Sequence, residues 1–168
     1  MFLRALSDRE IATQVAVLLN QNNQLQSKKS ARDILRTKTN YITELHGKLV
    51  LGVAGIEKLN YTFTEIKHLC VREDWRRKHI GRFLVERAMN FCDTPMLYVS
   101  IRKDNKASLE LFKGFGFTES GEYPSEDHSV AILTRKSPKW ANLTSTSKPT
   151  SSGKTTRQTI PMVFTAES

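Results

Sequence analysis

Four cations and a glycine crowd one turn of the chain: Arg76, Arg77, Lys78, Gly81 and Arg82 follow an apolar run ending at Val71 and lead into a helical pattern. A helix beginning near Ile80 leaves its first N–H groups without intrahelical acceptors and carries partial positive charge at that end. Such a terminus binds anions, and the flanking side chains add charge. Gly81 lets the backbone come close. By itself the turn fits two descriptions: a pyrophosphate cradle for a phosphate-bearing cofactor, or a solvated basic loop before an amphipathic helix.

The composition narrows the partners but not the chemistry. The 168 residues suffice for one domain with a tail. No apolar run is long enough to span a bilayer, and the N-terminus lacks the apolar stretch of a secretory signal, so no membrane association and a cytoplasmic location are expected. Cys70 and Cys92 are the only cysteines. They make no disulfide framework or metal-ligand spacing, so reduced thiols and no metal are expected. A formal charge of +9 and a pI near 9.7 favour an anionic partner: a phosphorylated cofactor, nucleic acid or an acidic protein surface.

The elements that must hold the turn follow from periodicity. Residues 2–5 predict a first strand, and Ser7 with Glu10 forms a capping box before Ile11, Val15, Leu18 and Leu19, a helix to about Asn20. A shorter helix carries Ala31, Ile34 and Leu35. Residues 41–45 and 49–59 predict a hairpin about His46-Gly47-Lys48, and 64–71 the next strand. Beyond the turn, Ile80, Leu84, Ala88 and Phe91 recur at helical spacing until Asp93-Thr94-Pro95. A strand over 96–101, a helix from Asn105 to Gly116, and strands over 117–122 and 129–134 complete the order βααβββαβαββ. From Ser137 the chain turns rich in Ser, Thr, Lys and Pro, which predicts a mobile basic tail over 137–168, with one apolar patch at 160–164.

A second motif follows the strand over 96–101: Asn105-Lys106-Ala107-Ser108, then Phe112, and finally Gly116-Phe117. Together with Arg76 and Gly81 of the basic turn, it resembles the GNAT superfamily of acyl-CoA-dependent N-acetyltransferases. Members carry Arg/Gln-x-x-Gly-x-Gly/Ala in the turn and later a pattern like Asn-x-x-Ala-x-x-x-Tyr-x-x-x-Gly-Phe. The resemblance covers roughly residues 1–136. It implies a mixed α+β fold with a central, mostly antiparallel twisted sheet, about four helices, and splayed fourth and fifth strands, here 64–71 and 96–101. It also implies acetyl-CoA as co-substrate, its pantetheine inserted between those strands. Leu69, Cys70 and Val71 would pair with the pantetheine. Arg76, Arg77, Lys78, His79, Ile80, Gly81 and Arg82 would hold the pyrophosphate, and Asn105, Ser108 and Phe112 would lie along the cofactor.

Acetyl transfer needs a neutral amine, so a base must take its proton. Glu65 is the candidate, placed by strand parity on one face with Lys67 and Leu69; its alternative is an ordinary carboxylate paired with Lys67 or a neighbouring cation. A backbone donor near Leu69 or Cys70 would hold the oxyanion. Phe112 stands where many members carry a tyrosine acid, and His79 stands at a glycine position. Tyr98 and Tyr123 are candidate replacement acids, with Ser100 and Cys70 behind them. The acceptor, a primary amine of a protein, small molecule or nucleic-acid-associated partner, is expected between the first two helices, residues 57–63 and the 123–128 loop. The competing function is a catalytically weak or inactive module that binds acyl-CoA or nucleic acid through its basic surface or tail. Monomer and homodimer are equally compatible with the sequence.

Overall fold

The computed structural model describes residues 5–22 and 27–141. Residues 2–4 of the strand expected at 2–5, the tail beyond Ala141 and its patch at 160–164 lie outside the described residues, and Ala5 is in no strand. Helix α1 (Asp8–Asn22) opens on the expected capping box, Ser7 N–H donating to Glu10 at 2.7 Å and Glu10 N–H to Ser7 Oγ at 3.3 Å. Helix α2 (Ala31–Arg36) has a second such box, Ser30 with Asp33. Strands β1 (Asn40–His46) and β2 (Leu49–Lys58) form the expected hairpin, followed by β3 (Phe63–Val71). A short 3-10 turn (Glu73–Trp75) leads to α3 (Ile80–Phe91). Strand β4 (Met96–Arg102), helix α4 (Lys106–Gly114), strands β5 (Thr118–Pro124) and β6 (Ser129–Lys136) and helix α5 (Pro138–Ala141) complete the described chain. No described helix is long and apolar enough to cross a membrane.

The six strands run in the order β1-β2-β3-β4-β6-β5. All neighbours are antiparallel except β3 and β4. This is the mixed, mostly antiparallel sheet that the resemblance implies, with one helix more among the described residues than the expected four. Each face has its own core. Helices α1 and α2 cover one face through Ile11, Val15, Leu18, Leu19 and Ile34, packed on Tyr41, Val53 and Cys70. Helix α3, with Phe112 of α4, covers the other through Leu84, Val85 and Ala88, packed on Ile66, Leu97, Val99 and Ile101. Side chains as buried as Leu84 and Leu97 stabilise the fold by roughly 1.5–3 kcal/mol each.

Gly52 sets how close α3 comes. A Cβ there would stand 2.9 Å from Leu84 Cδ1, 3.0 Å from Cys70 C=O and 3.2 Å from Ile80 Cγ2, so glycine lets the start of α3 rest close on β2. The fold also continues past residue 136, where composition placed the domain's end. Ser137 is fully buried with its N–H on Pro95 C=O at 2.8 Å, and the Trp140 indole donates to Asp93 C=O at 3.0 Å. Composition cannot see these two bonds, because their acceptors lie more than 40 residues away in sequence.

Candidate active site

The two parallel strands part. Residues Phe63, Thr64 and Glu65 pair with Met96, Leu97 and Tyr98, and the ladder stops there although β3 runs on to Val71 and β4 to Arg102. Past Glu65 and Tyr98, the facing backbone groups of both strands have no ladder partner, and such groups demand one. A cleft of about 420 Å³ opens between them, lined by Ile66, Lys67, His68 and Leu69 on one side and Val99, Ser100, Ile101 and Arg102 on the other. A second cleft of about 820 Å³ lies over the start of α3. The two share Asn22, Leu69, Asn105 and Ser108 and so form one continuous path through the sheet.

Most of the residues expected along the cofactor line the second cleft: Leu69, Cys70, Val71, Arg76, Arg77, His79, Ile80, Gly81, Arg82, Asn105 and Ser108. The helical ladder begins with Phe83 N–H donating to His79 C=O at 3.0 Å, so the N–H groups of Ile80, Gly81 and Arg82 precede it. Arg77 (φ 58) and His79 (φ 62) both take the left-handed conformation. Their handedness turns successive N–H groups toward one side, the geometry of an anion nest. Histidine thus occupies a glycine position in a conformation that glycine adopts freely and most other residues avoid. Asn105 caps α4, its Oδ1 accepting from Ser108 N–H at 3.1 Å.

Three expected residues serve differently. Arg76 donates to Asn22 Oδ1 at 2.8 Å, which ties the turn to the end of α1. Lys78 lies with its ammonium 4.5 Å from the centre of the Trp75 ring and does not line either cleft. Phe112 is buried edge-on against Phe117, 5.2 Å between ring centres, and closes the inner wall of the first cleft.

Parity fails at one point on β3. Lys67 pairs with Gly55 and Cys70 with Val53, so β3 holds one residue too many, and His68 sits there at φ 56. This bulge turns Leu69 and Val71 onto the α3 face and Cys70 toward α1. Glu65 and Lys67 therefore do not share a face with Leu69, as simple alternation predicts. The Cys70 thiol points at Leu18 C=O, 3.7 Å away, and burial pushes it up to about 11. Cys92 bonds Ala88 C=O at 3.1 Å and is pushed up by burial to about 12. Neither is an available acid or nucleophile. Iodoacetamide at pH 8 is expected to leave both unmodified in the native protein and to alkylate both in urea, as mass spectrometry reads.

Glu65 and Tyr98 are the last pair of the β3–β4 ladder and stand next to Ile66, Lys67 and Val99, where the lining of the first cleft begins. The Lys67 ammonium donates to Glu57 at 2.8 Å and to Glu65 at 3.0 Å, and Thr39 donates to Glu57 at 2.8 Å. The hydrogen bonds from Lys67 and Thr39 hold the Glu57 carboxyl below its ordinary range. Burial disfavours the Lys67 ammonium, yet the two carboxylates more than offset this and raise its pKa. Burial, and then the charge of the neighbouring Glu65, raises the pKa of Tyr98. Two carboxylates to one ammonium leave this cluster net negative within a basic protein. In the 119–127 region, Glu119 and Glu122 pair with Lys103 and Asp127 with His128. Tyr123 pairs with Val130 on the edge strand, 44% exposed and outside both clefts. Neither the 57–63 connection nor the 123–128 loop lines the first cleft.

Sequence reading missed Asn22, His68 and Trp75, which line these clefts. His68 alone left a trace, as a polar residue at a position that alternates with Ile66 and Cys70. Among the described residues no cluster of His, Cys, Asp or Glu is arranged to hold a metal.

The chain matches the acetyltransferase (GNAT) family over residues 12–117. It is 28% identical over 93 residues to N-alpha-acetyltransferase RimI of Mycobacterium tuberculosis, covering 54% of this chain and 59% of that protein. It spans less than two thirds of the length of the curated relatives it matches. Among solved structures, a point mutant of spermidine N-acetyltransferase SpeG from Vibrio cholerae superposes with a TM-score of 0.67 at 19% identity, over 85% of this chain and 97% of that one. An aminoglycoside 6'-N-acetyltransferase complexed with coenzyme A gives 0.64 at 15% identity, over 75% and 90%. These likenesses repeat the fold, and the family match spans both the parted strands and the helix start beneath them. The chain belongs to the acetyltransferase (GNAT) family.

Proposed function

We propose that this chain transfers the acetyl group of acetyl-CoA to a primary amine. The observation that carries the proposal is the end of the β3–β4 ladder at Glu65 and Tyr98, which opens two joined clefts above the start of α3. The residues there fit a diphosphate-bearing, amide-containing ligand. Gly81 leaves room, with only Leu111 and Val71 at 3.7 Å from a Cβ built on it. The N–H groups of Ile80, Gly81 and Arg82, with the guanidinium of Arg77, would hold the diphosphate. The open edge of Leu69, Cys70 and Val71 would satisfy the amides of the pantetheine arm.

Acetyl-CoA supplies the acetyl group as a thioester. On the acceptor side, Glu65 takes a proton from the incoming ammonium, directly or through one water, and leaves a neutral amine. The net negative cluster of Glu57, Lys67 and Glu65, whose Lys67 lines the cleft, draws the cation in. Phe112 has no proton to give, and Tyr98 carries a hydroxyl on the residue that pairs in register with Glu65. A thiolate is a tolerable leaving group near neutral pH, so turnover does not require a dedicated acid.

The mycobacterial relative named as an N-alpha-acetyltransferase and the coenzyme A complex of a neighbour support this reading. Incubation with labelled acetyl-CoA and a panel of peptides and alkylamines should yield acetylated amine by mass spectrometry. No product from any amine, together with no heat of acetyl-CoA binding at millimolar ligand, would sink it.

A further inference from the structure

We infer that His68, held by Tyr41, is a fixed uncharged N–H donor that reads a carbonyl of a peptide acceptor. This rests on the proposed amine acetylation. Three observations carry it. The bulge gives His68 a left-handed backbone at φ 56, and a bulge re-aims its side chain. The residue lines the first cleft beside Lys67 and across from Ser100 and Arg102. And its Nδ1 lies 2.9 Å from the hydroxyl of Tyr41, the two ring planes 14° apart.

The tautomer follows from burial. Tyr41 is 5% exposed, and a buried hydroxyl left without an acceptor is costly. His68 Nδ1 is the acceptor within reach, so Tyr41 donates and Nδ1 accepts. The imidazole proton then sits on Nε2, on the opposite side of the ring. Burial first, then the charges of Lys67 and Lys29 against that of Glu57, lower the ring's pKa to about 4. Burial likewise pushes Tyr41 up to about 12, so the phenol keeps its proton. At neutral pH the cleft therefore meets one neutral donor, and no described hydrogen bond engages Nε2.

A neutral donor suits a neutral acceptor atom. A peptide offers carbonyls close to its amino end, whereas a polyamine offers further ammonium groups, which an N–H dipole repels. The ion-paired Glu65 and Lys67 would take the amine while His68, three positions beyond Glu65 on the same strand, holds the carbonyl behind it. Specificity for a peptide amino end over a simple amine is the result.

The test compares alanyl-alanine amide with n-hexylamine as acceptors, using His68→Gly and Tyr41→Phe. Glycine accepts the left-handed backbone, so His68→Gly removes the ring without adding strain. Expected is a rise of about three- to tenfold in KM for the dipeptide amide, with KM for hexylamine and for acetyl-CoA unchanged. Tyr41→Phe should give a smaller rise of the same selectivity. Nitrogen-15 NMR of the wild type should show His68 protonated at Nε2 and unprotonated at Nδ1 well below pH 6. A proton on Nδ1, or equal losses on both amines, overturns the inference. Failure of the wild type to acetylate any amine overturns the acetyltransferase reading instead, while the NMR still decides the donor.

Discussion

Gly81→Glu should lose at least a hundredfold in acetyl-CoA affinity, about 2.8 kcal/mol, while its melting temperature holds or rises. The two effects have separate causes. A Cβ at this position meets Leu111 Cδ2 and Val71 Cγ2 at 3.7 Å, an ordinary contact, so the backbone need not move. Glutamate in place of glycine in a first helical turn gains helix propensity, and its charge suits the positive end of the dipole. Stability therefore gains or stays level. The same carboxylate, however, occupies the place where the N–H groups of Ile80, Gly81 and Arg82 are offered to an anion. Gly81→Ala serves as the control, since it adds the Cβ without the charge and should bind within a fewfold of wild type. Calorimetric titration beside a thermal melt reads both halves. A stable variant with unimpaired binding would show that the diphosphate lies elsewhere.

What could be read from the sequence was what short-range chemistry writes. The Ser7–Glu10 box, the His46-Gly47-Lys48 turn and the apolar stripe of α3 depend on neighbours within a turn or two, and all three are present. Asn105 is likewise legible, because a cap bonds a residue only three positions on. The Ser30–Asp33 box was missed although it obeys the same rule, because its helix is only 6 residues long and its apolar stripe is faint. The bulge was illegible for a different reason. Positive φ is normally announced by glycine, and here histidine takes it at both 68 and 79. Read with strict alternation, β3 puts Leu69 beside Glu65, and one inserted residue reverses that. Contacts that complete the site also join distant segments, Arg76 to Asn22 across 54 residues and Tyr41 to His68 across 27. No periodicity encodes such pairs. They appear only once the sheet order is known.

Glu65→Gln should lower kcat by about a hundredfold while leaving acetyl-CoA affinity and the melting temperature nearly unchanged. Glutamine keeps the size of the side chain, so the end of the β3–β4 ladder holds its shape. Lys67 loses one carboxylate but retains Glu57 at 2.8 Å, which limits the cost of the substitution. What disappears is a site for the amine's proton at the point where β3 and β4 part. Glu57→Gln makes the comparison specific. It too removes one of the two carboxylates bound to Lys67, and by the same charge, but on β2, one strand further from the opening. If net charge alone attracts the amine, both variants should raise acceptor KM alike and spare kcat. If Glu65 takes the proton, the loss in kcat belongs to Glu65→Gln, and Glu57→Gln stays within about fivefold of wild type. Equal losses in kcat would assign the pair a structural role and send the search for the base to an ordered water in the cleft.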